Sequence, residues 1–284
     1  MRKFSGILVF LSISSLAFSQ KWQLESFGGI TGYSGDLTQP ALSFKALGPG
    51  VNLNLKYNLH PQVLLRSGLN WGTIAAYDKN NKDTSLQNRN LSFKSNLLEI
   101  NFCIEVNLLD PVDPVEINAY PYVFAGIGLF HFDPFAYDNS GVKTFLKPLS
   151  TEGDGMPEFP DRKEYKLTQI CIPFGGGVKF KLSRQLETGF EIGFRKTFTD
   201  YLDDVSKPYV DEKILFLHKG PKTVEMASRS INTAGLPQKV AIGDIRGNPR
   251  KKDMYYFMGV KLTLKFATGK KERPKKETMR VPKQ

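Results

Sequence analysis

Eight segments of this chain alternate apolar and polar residues with period two, and the connections between them alternate between short and long. The segments run over roughly 21–33, 49–58, 62–76, 92–107, 116–132, 165–181, 186–198 and 254–266. Successive side chains of a strand point to opposite faces, so each segment reads as a β-strand with two unlike faces. Several of them run 13 to 17 residues, whereas strands of soluble proteins average about 5 to 6. Only "LHPQ", "LLDPVDPV" and "LSRQ" follow the second, fourth and sixth strands. About 15, 15, 32 and 55 residues follow the first, third, fifth and seventh. Long strands in even number, with short turns at one end and long loops at the other, predict one architecture. It is all-β, an eight-stranded antiparallel up-and-down transmembrane β-barrel with short periplasmic turns and long extracellular loops.

The faces agree with that reading. In "LLEINFCIEVNLL", Leu98, Ile100, Phe102, Ile104 and Val106 share one face, and Glu99, Asn101, Cys103, Glu105 and Asn107 the other. "LETGFEIGFRKTF" sets Phe190, Ile192 and Phe194 against Glu187, Glu191 and Arg195 in the same way. A soluble barrel keeps apolar residues inside, so charges on the polar face favour apolar side chains toward lipid and polar ones inward. The inward set is then Glu25, Lys56, Arg66, Glu99, Glu105, Glu187, Glu191, Arg195 and Lys261. Eight strands leave room only for side chains, so these charges must pair with one another and the barrel is no open pore. Inward Gly68, Gly72, Gly126, Gly128, Gly189 and Gly193 suit so narrow an interior. Trp22, Tyr57, Trp71, Tyr77, Tyr120, Phe132, Phe135, Tyr165, Phe198, Tyr255 and Tyr256 fall where aromatic girdles would lie.

The two ends carry other information. Residues 1–19 read as an export signal, with Arg2 and Lys3 before an apolar run and the small residues of "AFS" before the cut. The formal charge of +11 falls to +9 once Arg2 and Lys3 are removed. Much of the rest sits in residues 267–284, a basic tail expected to be disordered and periplasmic, with Lys270, Lys271, Arg273, Lys275 and Lys276 as candidate partner contacts. Export argues against nucleic acid as a partner and makes outer-membrane lipid the expected one. Cys103 and Cys171 lie in strands separated by another strand, roughly 10 Å apart, too far for a disulfide. They are expected as free, buried thiols.

Residue chemistry does not favour catalysis. His60, His131 and His218 are the three histidines; His131 beside Asp133, or His218 with the Asp200–Asp204 cluster, has no nucleophile at catalytic spacing. "TDYLDDVSKPYVD" lacks the ligand order of an EF-hand loop. No cofactor or metal is assigned, although a calcium site shared by Asp200, Asp203 and Asp204 with Glu152 and Asp154 stays open. "GGG" at Gly175–Gly177 lies within a strand and precedes no helix, so it is not a phosphate loop.

An ordered series of short motifs carries a resemblance: "YSGDL" (Tyr33–Leu37), "RNLSF" (Arg89–Phe93), "STEGDG" (Ser150–Gly155), "IPFGGGVKF" (Ile172–Phe180), "TDYLDDVS" (Thr199–Ser206) and "RGNPRKKDMYYF" (Arg246–Phe257). Together they resemble the PorG-like outer-membrane β-barrel proteins linked to type IX secretion and gliding motility, over about residues 20–266. The resemblance implies a non-enzymatic component that anchors or organises a periplasmic lipoprotein ring of the PorK/PorN or GldK/GldN type. It marks Arg89, Asn90, Glu152, Gly153, Asp200, Tyr201, Asp203, Asp204 and Arg246 as family-motif loop residues. The alternative reading is a small barrel for surface binding or adhesion through its extracellular loops.

Overall fold

A computed structural model describes residues 21–38, 42–109 and 119–266. The export signal, the first residues of the fifth strand and the basic tail with Lys270, Lys271, Arg273, Lys275 and Lys276 lie outside them. Eight long strands form the wall: β1 (Trp22–Ser34), β2 (Gly48–Asn58), β3 (Val63–Tyr77), β4 (Ser92–Asn107), β5 (Ala119–Tyr137), β7 (Thr168–Lys181), β8 (Leu186–Thr197) and β9 (Met254–Lys265). Each pairs antiparallel with the next long strand along the chain, and β1 pairs with β9 to close the cylinder. Closure leaves the eight wall strands without an unpaired edge, so their backbone groups are satisfied without water. β6 (Lys143–Phe145) is a short strand that folds back on the end of β5.

The strand ends match the sequence pattern closely, and β5 extends further into the long-loop end than alternation indicates. The apolar face of each stave is the outer one: Leu53, Ile100, Ile104, Ile127, Phe190 and Val260 are all exposed. All nine expected inward charges are buried.

The interior has two layers. Toward the short turns lies an ionic layer, and Lys179, which the sequence reading left out, belongs to it. Its period-two spacing from inward Cys171 on β7 carried that signal. Lys56 Nζ is 2.5 Å from Glu25 and 2.8 Å from Glu105. The Arg66 guanidinium forks onto Glu191 at 2.7 and 2.9 Å. Lys179 reaches Glu105, and Lys261 is 3.1 Å from Glu25. Buried charges are tolerated only when paired and hydrogen-bonded in this way. At Gly126 any side chain would strike the Phe102 carbonyl, because the wall is crowded on that side.

Toward the long loops the filling becomes aromatic, with Phe27, Phe93, Phe130, Phe132, Tyr255 and Phe257 in one apolar cluster. This corrects the expected girdle. Tyr120, Phe132, Phe135, Tyr165, Tyr255 and Tyr256 are buried rather than at the lipid boundary. Tyr120 donates to Glu187, and Tyr255 donates to Glu99 at 2.8 Å. Period two separates the faces of a strand but cannot say which face is wet where both carry aromatic rings. Trp71 and Phe198 do remain exposed outside. Cys103 and Cys171 are free and buried.

Candidate functional site in the long-loop cap

The described residues of the four long connections fold over one mouth of the barrel as a cap. Three short helices help build it: α1 (Thr84–Arg89), α2 (Glu212–Lys219) and α3 (Pro221–Ala227). Asp83 caps α1 through the Ser85 N–H, and Asp211 caps α2 through the Lys213 N–H. Such caps satisfy donors that the first turn of a helix leaves free. Helical periodicity is nearly invisible in the sequence because each helix is under three turns long.

Two arginines tie the loops together. Arg89, the last residue of α1, donates from Nε and Nη2 to the two Asp78 oxygens, both at 2.7 Å. It also donates to the Asp36 carbonyl at 3.0 Å and to the Arg246 carbonyl. Its neighbour Asn90 turns the chain in the left-handed region at φ 56° and donates to the Arg229 carbonyl. Arg246 Nη1 is 2.6 Å from Glu152 Oε1 and 2.7 Å from the Asp204 carbonyl, and Nη2 donates to Thr151 Oγ1. A rigid, planar, five-donor fork suits such multi-acceptor sites, which lysine cannot fill.

The acidic residues complete the network. Glu152 accepts from the Ser206 and Lys207 backbone N–H groups. Gly153, next to it, has φ +78° and faces the Phe159 ring, so a side chain there would be strained and crowded. Asp204 accepts from Thr151 Oγ1 at 2.5 Å and Tyr165 Oη at 2.7 Å. Tyr33 Oη donates to Asp203 at 2.5 Å and lies 3.1 Å from Asp253, which accepts from the Leu202 N–H. Asp36 accepts from the Asn248 N–H at 2.7 Å. The Tyr201 ring stacks on Tyr165 with centroids 4.6 Å apart.

All nine family-motif loop residues therefore lie in one cap. Its other members, Tyr33, Asp36, Asp78, Thr151 and Asp253, were missed as contributors. Most lay within or beside the motifs, but nothing local in the sequence shows that they meet. Burial pushes Asp200 and Asp204 up to about 7 and Asp154 up to about 6, in each case as the largest cause. Asp203 and Asp253 are raised well above the ordinary carboxylate range, by burial first and then by neighbouring acidic charge. Arg89 and Arg246 are raised by their carboxylate partners against the opposing effect of burial.

Asp36, Asp203, Asp204 and Asp253 serve the cap's own backbone and hydroxyls, whereas both Asp200 carboxylate oxygens are buried without a hydrogen-bond partner among the described residues. Among the described residues no group of three or more His, Cys, Asp or Glu side chains is arranged to hold a metal ion. The histidines stand apart from the acidic cluster. His131 meets Thr168 at 3.0 Å, and His218 meets Glu158, not Asp200–Asp204, at 3.0 Å. Both contacts are in exposed positions.

A closed cylinder with paired charges inside, an aliphatic band outside and an ordered cap over one mouth is an integral membrane barrel of the outer-membrane type. The chain belongs to the family described as a domain of unknown function (DUF6089), whose model matches residues 1–220. The matched span ends between α2 and α3, short of Arg246. No curated protein matches the sequence. Among solved structures, the chain is similar to Neisserial surface protein A, at 10% identity and TM-score 0.41 over 87% of this chain and 98% of that one. A major outer membrane protein from Thermus thermophilus gives 12% and 0.40 over 87% and 99%. The outer membrane protein OprG from Pseudomonas aeruginosa gives 7% and 0.38 over 88% and 100%. At these identities and scores none of them speaks for what this chain binds or does.

Proposed function

We propose that this protein is a non-conducting, non-enzymatic outer-membrane barrel that acts by holding partners at its two ends. The observation that carries the reading is the filled interior: an ionic layer and an aromatic layer beneath a hydrogen-bonded cap leave the ends as the working surfaces. The finer reading is a component of type IX secretion that anchors or organises a periplasmic ring of the PorK/PorN or GldK/GldN type. Its support is the ordered series of motifs from Tyr33 to Phe257. Apart from Ile172–Phe180 in β7 those motifs lie at the capped end, so a ring partner would meet the short turns and the basic tail with Lys270, Lys271, Arg273, Lys275 and Lys276. Mild-detergent copurification followed by mass spectrometry tests this. Ring proteins should copurify with the full chain and be depleted when residues 269–284 are removed, and gene deletion should abolish secretion.

A second reading, surface binding through the long loops, is favoured by a different observation. Leu217, Ile242 and Ile245 are 81%, 70% and 82% exposed on an otherwise ordered cap. Normal secretion in a deletion strain, with altered attachment at the cell surface, would select this reading over the first.

A further inference from the structure

At the edge of the cap network, a cleft of about 290 Å³ opens on the barrel wall beside the long-loop ends of β3, β4 and β5. Tyr77 and Tyr137 form part of its lining, and three cations, Lys79, Lys94 and Arg229, converge on it. Lys79 is held over the Tyr77 ring at 5.5 Å and Lys94 over the Tyr137 ring at 5.7 Å. Such contacts stabilise a cation in place without neutralising it. Among the described residues none of the three forms an ion pair; Arg229 has only a 3.5 Å approach to Ser92 Oγ. Asp138 also lines the cleft, but its carboxylate is taken up by Lys222 at 2.7 Å and by the Ser140 and Val142 N–H groups. The cleft therefore presents uncompensated positive charge between aromatic walls.

Its height on the barrel identifies the occupant. On this side the outward apolar band ends at Trp71, Leu98 and Leu129. The next outward pair is polar, with Thr73 donating to Asn96 at 3.0 Å. Lys94 lies four positions beyond Leu98 along β4, about 13 Å at about 3.3 Å per residue. For a strand tilted by about 40° that is about 10 Å along the membrane normal. Bilayer headgroups occupy the several ångströms outside the hydrocarbon core, and flexible lysine side chains reach across the remainder.

We propose that this cleft holds a phosphate on the headgroup of an anionic lipid in the leaflet on the long-loop side. Lys79, Lys94 and Arg229 grip the phosphate, and Tyr77 and Tyr137 pack against the neighbouring sugar or glycerol. Charge-assisted contacts of this kind are the strong class of hydrogen bond and favour phosphate.

The full chain, reconstituted in zwitterionic nanodiscs doped with a bis-phosphorylated diglucosamine lipid or its dephosphorylated form, tests the site. Lipid retained after transfer to detergent is counted by mass spectrometry. Wild type should retain the phosphorylated lipid about tenfold better than the dephosphorylated one, a ratio within reach of one or two lost charged contacts. K79Q/K94Q/R229Q should bring the two to the same level, while K163Q/K166Q on another loop should leave the preference intact. Heat-modified gel mobility reports that each variant is folded. Equal retention of the two lipids by wild type, or undiminished preference in the triple variant, would overturn the proposal. So would displacement of the lipid by inorganic phosphate at a concentration no higher than that of the lipid, because the site would then recognise the free ion and not a membrane lipid.

Discussion

Arg246 shows what one side chain does in this cap. It is buried and holds Glu152, Thr151, the Asp204 carbonyl and the Ala227 carbonyl, so four acceptors depend on it. Removing one member of a buried ion pair leaves the other uncompensated, at about 3–5 kcal/mol. Arg246→Ala should therefore open the cap locally, read as faster amide hydrogen exchange over residues 199–207 with the strand amides unchanged. Arg246→Lys, which keeps the charge and loses the fork, should fall between the two. Unchanged exchange in Arg246→Ala would mean that the loops are held by packing alone. The acidic residues add a pH dependence whose sign follows from their raised pKa values. An exposed Asp titrates near 3.9, whereas Asp154 sits at about 6 and Asp200 and Asp204 at about 7 in the folded cap. The folded cap thus binds protons that the opened cap releases. Their stabilising contribution is full below the ordinary aspartate range and is lost as pH rises through about 6 to 7. Hydrogen exchange, corrected for its intrinsic pH dependence, should show the cap better protected in mild acid than above neutrality. The reverse order would contradict these burial-driven shifts.

At the scale of elements, the barrel and the cap are stabilised by different means. The staves are joined by ladders between neighbours and filled by ionic and aromatic layers, whereas the cap rests on Arg89, Arg246 and a small apolar set around Leu202, Val205 and Met226. Replacing residues 208–251 with a short turn removes α2, α3 and Arg246 but no ladder of the eight wall strands. The shortened protein should keep the heat-modified gel mobility of a folded barrel. Its remaining long loops, above all residues 143–165, should become protease-sensitive, because Glu152 loses the Arg246 guanidinium and Arg89 loses the Arg246 carbonyl. Failure of the staves to assemble would instead make the cap part of the barrel's folding unit. The strands and their inward and outward faces were legible in the sequence because period two is a local property. The helices were not, since a helix under three turns long gives its apolar face too few repeats to register.

For the whole molecule, the two filled layers predict a barrel without a conducting path. Planar-bilayer recordings should show no discrete conductance steps, either for the full chain or after loop shortening, because Arg66, Glu191, Arg195 and Glu99 still close the lumen. Steps from the full chain would refute the filled interior, and steps appearing only after shortening would transfer the seal to the cap. The sequence by itself determined the number of staves, their order, the end that carries the long loops and nine inward charges, with Lys179 left out. Each follows from alternation and spacing along a short stretch of chain. Only the tertiary structure decided which charges pair, which aromatic rings turn inward, and that residues as far apart as Arg89 and Arg246 meet in one network. The acidic run from Asp200 to Asp204 belongs to the same class: whether it binds a metal or holds its own loops depends on what the other loops bring to it. Periodicity records the face a residue occupies. Its neighbour across the mouth of the barrel is set by closure of the sheet, which no local pattern encodes.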